Sequence, residues 1–196
     1  EAVLAVNEQI PGEIYQCHDR MKTYILEVKR TSKGTQVMVS RTHPGLLKRL
    51  FELEVPEISD GVVEIKSVAR EPGMRSKISV YTQDENIDPV GACVGHKGMR
   101  VQTIVNELRG EKIDIVKYSE DPAQYVANAL SPAKVVSTEV NLDEKICRVV
   151  VPDYQLSLAI GKEGQNARLA AKLTGWKIDI KSESQAAEEA YAEGEE

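Results

Sequence analysis

Two tetrapeptides hold the residues best suited to chemistry in this chain: G-H-K-G at 95–98 and G-K-E-G at 161–164. A glycine pair at this spacing closes a tight turn and lets a sugar-phosphate backbone approach with no Cβ in the way. A helix beginning directly after the turn aims free N–H groups and the positive end of its dipole at that approach. Lys97 and Lys162 add point charges and Arg100 a forked one. Val94 and Ile160, apolar and adjacent, could floor a groove for bases. The chemistry on offer is anion capture, not bond-making. The bare motif has little weight, because thirteen glycines in 196 residues make about one G-x-x-G expected by chance. The weight comes from what surrounds it.

The elements around the two loops repeat. In G-L-L-K-R-L-F-E-L, Leu46, Leu47, Leu50, Phe51 and Leu53 stand at helical spacing. Two strands come next, V-V-E-I-K-S-V-A-R and S-K-I-S-V-Y, joined at Pro72-Gly73. Asp88-Pro89 opens a short helix. Beyond Gly98, Val101, Ile104, Val105 and Leu108 predict an amphipathic helix, then Gly110 and the strand K-I-D-I-V. The order then recurs. Asp121-Pro122 starts a helix through Leu130, with Gln124 placed for a capping box. Strands are expected at 134–140 and 145–151, a short helix from Tyr154 to Ile160 capped by Asp153, a helix to Leu173 and the strand W-K-I-D-I-K. Gly95 maps onto Gly161, 66 residues on, and K-I-D-I at 112–115 returns at 177–180. This is a tandem duplication, and with no linker between the copies they are expected to pack as one rigid unit. Ahead of them, 21–28 and 36–40 are β-branched-rich runs that predict a hairpin with Gly34 in its turn. Such a piece cannot close a core unaided.

Composition narrows the classes. The formal charge is −6, from 31 acids and 25 bases, but six glutamates lie in the last fifteen residues and the body is neutral. Residues 14–49 carry an excess of six positive charges, a feature suited to a polyanion or to a solvated face. No uncharged apolar run approaches a membrane span, and no signal peptide is visible. The chain opens E-A-V-L without Met, as expected of a piece of a longer protein. Cys17, Cys93 and Cys147 form neither a disulfide framework nor a zinc pattern, which suggests a reducing compartment. His18, His43 and His96 complete no metal site. Cys17-His18-Asp19 are neighbours in sequence, whereas triad members are neighbours in space. No P-loop or dinucleotide fingerprint occurs. Aromatics make up 5%, too few for stacking to dominate nucleic-acid binding, and Trp176 reads as core.

V-G-H-K-G-M-R and I-G-K-E-G-Q-N resemble the loops of KH domains, which clamp about four nucleotides of single-stranded nucleic acid. Two strands before the loop and one after it resemble the bacterial type of this fold. The stretches S-R-T-H-P, V-A-R-E-P-G-M-R-S-K-I, N-E-L-R-G-E-K-I-D-I and L-S-L-A-I-G-K-E-G-Q-N-A-R-L-A-A-K-L-T-G-W-K-I-D-I are similar to the tandem KH region of a family of bacterial transcription elongation and termination/antitermination factors. The resemblance implies an α+β fold of two type II KH domains (α-β-β-α-α-β) after an incomplete OB-fold barrel remnant. The divisions expected are 1–43 for the end of the barrel, 44–118 and 119–182 for the KH domains, and 183–196 for a disordered acidic tail. It also implies a cytoplasmic, monomeric module that binds nascent single-stranded RNA without cofactor or metal, contacting RNA polymerase and other antitermination factors. The expected RNA-binding residues are Val94, Gly95, His96, Lys97, Gly98, Met99 and Arg100, with Ile160, Gly161, Lys162, Glu163, Gly164, Gln165 and Asn166. Glu163 is the oddity, since a phosphate repels a carboxylate. The alternative is a KH-fold protein-docking scaffold within a transcription or ribosome-associated complex.

Overall fold

The computed structural model describes residues 1–194. Strands β1 (Ala2–Val3), β2 (Tyr24–Thr31) and β3 (Gly34–Ser40) form a sheet in the order β1-β3-β2. The expected hairpin is present, but Ser32 and Lys33 make its turn, and Gly34 is already paired with Thr31. Strand β2 is exposed from Ile25 to Thr31, its apolar Ile25 and Val28 included. Arg41 fastens the segment to the first repeat. Its buried guanidinium donates to Glu13 Oε1 and Oε2 at 2.6 and 2.9 Å, to the Lys22 carbonyl at 2.7 Å, and to Glu107 Oε1 and its carbonyl at 3.3 and 3.0 Å. Those bonds use all five N–H donors an arginine has.

The first repeat runs α1 (Pro44–Glu54), α2 (Pro56–Ser59), β4 (Val63–Glu71), β5 (Arg75–Thr82), α3 (Pro89–Val94), α4 (Met99–Glu107) and β6 (Lys112–Lys117). His43 caps α1 by accepting from the Gly45 N–H through Nδ1. Leu46, Leu47, Leu50 and Phe51 are buried as expected, whereas Leu53 is exposed. The helix ends one residue after it, and the turn brings Val55, fully buried, to the core instead. Helices α1, α3 and α4 cover one face of the sheet β4-β5-β6.

The second repeat runs α5 (Pro122–Ala129), β7 (Ser137–Asn141), β8 (Ile146–Val151), α6 (Leu156–Ile160), α7 (Gln165–Thr174) and β9 (Lys177–Ser182), with the sheet order β7-β8-β9. Two caps differ from expectation. Asp121 accepts from the Ala123 N–H, but Gln124 reaches forward to Asn128, so no capping box forms. Asp153 accepts instead from the backbone and hydroxyl of Ser184, past the end of β9.

The repeats interlock rather than sit side by side. Along β5, Ile78 and Val80 point into the first core, while Lys77 and Ser79 point the other way and are equally buried. That second face is covered by the other repeat. Ala69 and Val116, from the first sheet, belong to the core formed by Tyr125, Val126, Leu169, Ala170 and Leu173. A sheet buried on both sides needs small or satisfied residues where the partner lies close. Accordingly, the Tyr125 hydroxyl donates to Ser79 Oγ at 2.8 Å, and Lys77 Nζ donates to Asp114 at 2.9 Å and to the Ser131 carbonyl at 2.8 Å.

The acidic segment is not disordered as expected: α8 (Glu183–Glu193) is helical. Ser182 and Gln185 form a capping box, Ser184 ties to Asp153, and Ala- and Glu-rich sequence has high helix propensity. The helix is nonetheless almost wholly exposed. Glu195 and Glu196 lie outside the described residues.

Candidate nucleic-acid interface

Each glycine loop is one 3-10 turn wedged between two helices, α3 and α4 in the first repeat, α6 and α7 in the second. The first glycines, Gly95 and Gly161, have φ/ψ of 77°/174° and 79°/169°, a region essentially closed to other residues. Lys97 and Glu163 both sit in the left-handed region, at 52°/29° and 55°/26°. Gly98 and Gly164 come next at 72°/14° and 74°/12°. The two loops therefore agree within 5° at every one of these torsions. Two unlike sequences, H-K and K-E, reach one backbone shape because the glycines dictate it.

The two glycines of a pair do different jobs. A Cβ on Gly95 would lie 2.6 Å from Arg100 Cγ, and one on Gly161 would lie 2.7 Å from the Asn166 backbone nitrogen. The first glycine lets the next helix close onto the turn. At Gly98 a Cβ would meet nothing within 4 Å, and at Gly164 only Arg168 Nη1 at 3.9 Å. The second glycine faces open space. It is also the N-cap of α4 or α7, and neither helix has a side-chain cap there. The first N–H of each helix, on Met99 or Gln165, already donates to the His96 or Lys162 carbonyl, so only the N–H groups behind it are open to an outside acceptor.

Of the residues expected to bind, His96, Lys97 and Met99 are exposed in the first loop, and Lys162 and Glu163 in the second, with Ile160 exposed beside it and Val94 half-buried. Arg100 is engaged internally: Nη1 donates to Glu57 Oε2 at 2.9 Å and to the Ala92 carbonyl at 2.7 Å. Asn166 is buried, its Nδ2 donating to the Leu130 and Ala159 carbonyls at 3.0 Å. Arg100 and Asn166 hold equivalent positions, and each ties the new helix back to a carbonyl of the helix before the loop. Gln165 is half-buried with its Nε2 unpaired among the described residues. Arg100 nonetheless keeps a side chain that is 31% exposed.

One residue near the second loop lies outside the motif and carries no signal of its own in the sequence. Arg168, one turn into α7, donates through Nη1 to the Glu163 carbonyl at 3.0 Å, and its side chain is 42% exposed. Its counterpart 66 residues earlier is Gln102, bonded to Asn106. The exchange of cation is visible in the aligned repeats; the side-chain direction is not. Elsewhere, burial pushes the Cys93 thiol up to about 12, which silences it as a nucleophile. Asp19 accepts from the Gln16 N–H and faces Arg109, so Cys17-His18-Asp19 does not converge.

The profile of NusA-like first KH domains matches residues 41–118, and that of NusA-like second KH domains matches 122–188. The chain is 71% identical over 195 residues to the transcription termination/antitermination protein NusA of Halalkalibacterium halodurans, covering 100% of this chain and 51% of that one. It is 71% identical over 188 residues to the protein of the same name from Bacillus subtilis, covering 96% and 51%. For Mycobacterium tuberculosis the identity is 56% over 186 residues, covering 94% and 53%. The chain thus spans about half the length of these relatives.

Proposed function

The chain belongs to the NusA family, and from that premise we propose that it is the part of a termination/antitermination factor that holds nascent single-stranded RNA. The observation that carries this reading is the pair of loops with one backbone shape, uncapped helix N-termini and an exposed lysine each. Phosphates meet those N–H groups and Lys97 or Lys162; bases lie along Val94, Met99 and Ile160. Gly95 and Gly161 set the turn, and Gly98 and Gly164 let the backbone close in. His96 lines the first loop. Glu163 faces solvent, and Gln165, Asn166 and Arg100 act by shaping the loops.

The interlocked repeats hold the loops at one separation, so a strand bound at the first meets the second as an intramolecular contact. In this reading 1–43 is the end of an OB-fold barrel, 44–118 and 119–182 are the KH domains, and the module is monomeric and cytoplasmic. RNA polymerase and other antitermination factors are partners of the longer protein.

The test is anisotropy titration of a labelled single-stranded RNA and its duplex. Single strands should bind more tightly, with a log–log salt slope of about −0.7 per phosphate contact. K97Q and K162Q should each weaken binding without loss of helix signal. Equal binding to duplex, or indifference to both substitutions, would favour the protein-docking alternative.

A further inference from the structure

The second loop has a carboxylate, Glu163, where the first has Lys97, yet its backbone is the same. We infer that Arg168 supplies a cation at the step of that loop where Lys97 stands in the first, alongside Lys162, and that Glu71 of the first repeat is a positioning residue holding Arg168 in place. This rests on the RNA-binding reading and extends it to two residues outside the G-x-x-G motif.

Three observations carry it. The Arg168 guanidinium lies at the open side of the loop, Nη1 being 3.9 Å from where a Cβ on Gly164 would stand. That is the space a phosphate must enter to reach the first turn of α7. The same Nη1 donates to the Glu163 carbonyl at 3.0 Å, inside the left-handed step of the loop. Finally, Nε and Nη2 both donate to Glu71 Oε1, at 2.7 and 2.5 Å. Glu71 ends β4, 97 residues away. Of the five N–H donors of a guanidinium, one on Nη1 and one on Nη2 are left by these bonds for an incoming phosphate oxygen.

The anchor is built into the fold. Glu71, the last residue of β4, borders the turn to β5, which is pinned by its neighbours. Buried Arg70 pairs with Glu111 at 3.0 Å and donates to the His43 carbonyl at 3.0 Å, and the Gly73 N–H donates to Glu111 at 2.8 Å. Glu71 itself is 18% exposed at its side chain, with Oε2 buried. Among the described residues the first loop has no brace from the other repeat: Gln102 bonds within its own helix, and Arg100 pairs with Glu57 of the same repeat. The two loops therefore reach one function by different routes: Lys97 on the turn in the first, and Lys162 on the turn joined by an arginine steadied from the neighbouring repeat in the second.

The substitution E71Q separates positioning from bulk charge, because it makes the protein less negative. Screened electrostatics alone predicts tighter RNA binding; a weakened anchor, since a neutral amide oxygen holds a guanidinium less firmly than a carboxylate, predicts weaker. Anisotropy titrations with single-stranded RNA long enough to span both loops should show R168Q weakened about fivefold at 0.1 M salt, with a slope shallower by ~0.7, the signature of one lost phosphate contact. E71Q should weaken binding in the same direction. In amide NMR spectra, E71Q should shift the signals of Gly161 and Gly164 and leave those of Gly95 and Gly98 in place, with an unchanged melting temperature. The conservative R168K, which keeps the charge but not the fork, should recover the salt slope more than the affinity. If K162Q weakens binding while R168Q and E71Q bind as well as the unaltered chain or better, the inference is overturned and the RNA reading stands. If the unaltered chain binds no single-stranded RNA, both fall.

Discussion

Tyr125 of the second repeat and Ser79 of the first meet hydroxyl to hydroxyl at 2.8 Å, fully enclosed between a helix and the back of a sheet. The Tyr125 hydroxyl also lies 3.2 Å from the Leu173 carbonyl, and its ring packs edge-on to Tyr118. Y125F keeps the ring and deletes the hydroxyl, leaving buried Ser79 without that partner. It should cost about 1–2 kcal/mol in urea unfolding. An unchanged midpoint would mean the hydroxyl contributes nothing to the seam.

The glycines of each loop should separate by experiment. G161A places a Cβ 2.7 Å from a backbone nitrogen, at a φ/ψ that only glycine adopts readily, and should cost roughly 2–4 kcal/mol. G164N meets open space in a left-handed conformation that asparagine tolerates, so it should cost under about 1 kcal/mol while weakening RNA binding by crowding the approach. Equal stability losses from the two would contradict the division of labour drawn from the Cβ positions.

Acid should loosen the N-terminal segment through Glu13. Burial would raise its carboxyl, but the bonds and charge of Arg41 outweigh this and hold it below the usual range. A folded-state pKa below the unfolded one means stability that is present above the ordinary carboxylate range and lost as pH falls through it. Asp114 behaves alike: burial opposes its ionisation, and Arg75 and Lys77 overcome it. The deficit of E13Q relative to the parent should be largest near neutrality and should narrow toward about pH 3.5. A deficit that grows on acidification would reverse the sign of this linkage.

Helix α8 should be an electrostatic brake. Glu189 pairs with Lys181 of β9, and the other acids of the helix face solvent. The triple change E188Q/E189Q/E193Q should tighten RNA binding at low salt, with the gain vanishing above ~0.3 M as the Debye length shortens. Its melting temperature should stay close to that of the parent, because exposed pairs contribute little. Weaker RNA binding by this variant at low salt would reverse its role.

Much of this molecule is legible before folding. The duplication, the order of elements and the two loops come from signals that act over a few residues: apolar periodicity, Asp-Pro starts, and glycines where the backbone needs conformations other residues avoid. Those constraints are local, so they leave marks in sequence. Which charges remain available is a different kind of fact. Arg100 and Asn166 stand next to the loops in sequence, yet both turn inward to carbonyls of the preceding helix. Arg168 lies farther along and is delivered to the loop by a carboxylate 97 residues away. The acidic segment is organised by Asp153, 31 residues before Ser184. Hydrogen-bond donors are assigned by whichever acceptors the fold brings within about 3 Å. No spacing rule reaches that far along the chain, so only the packing of one repeat against the other could decide it.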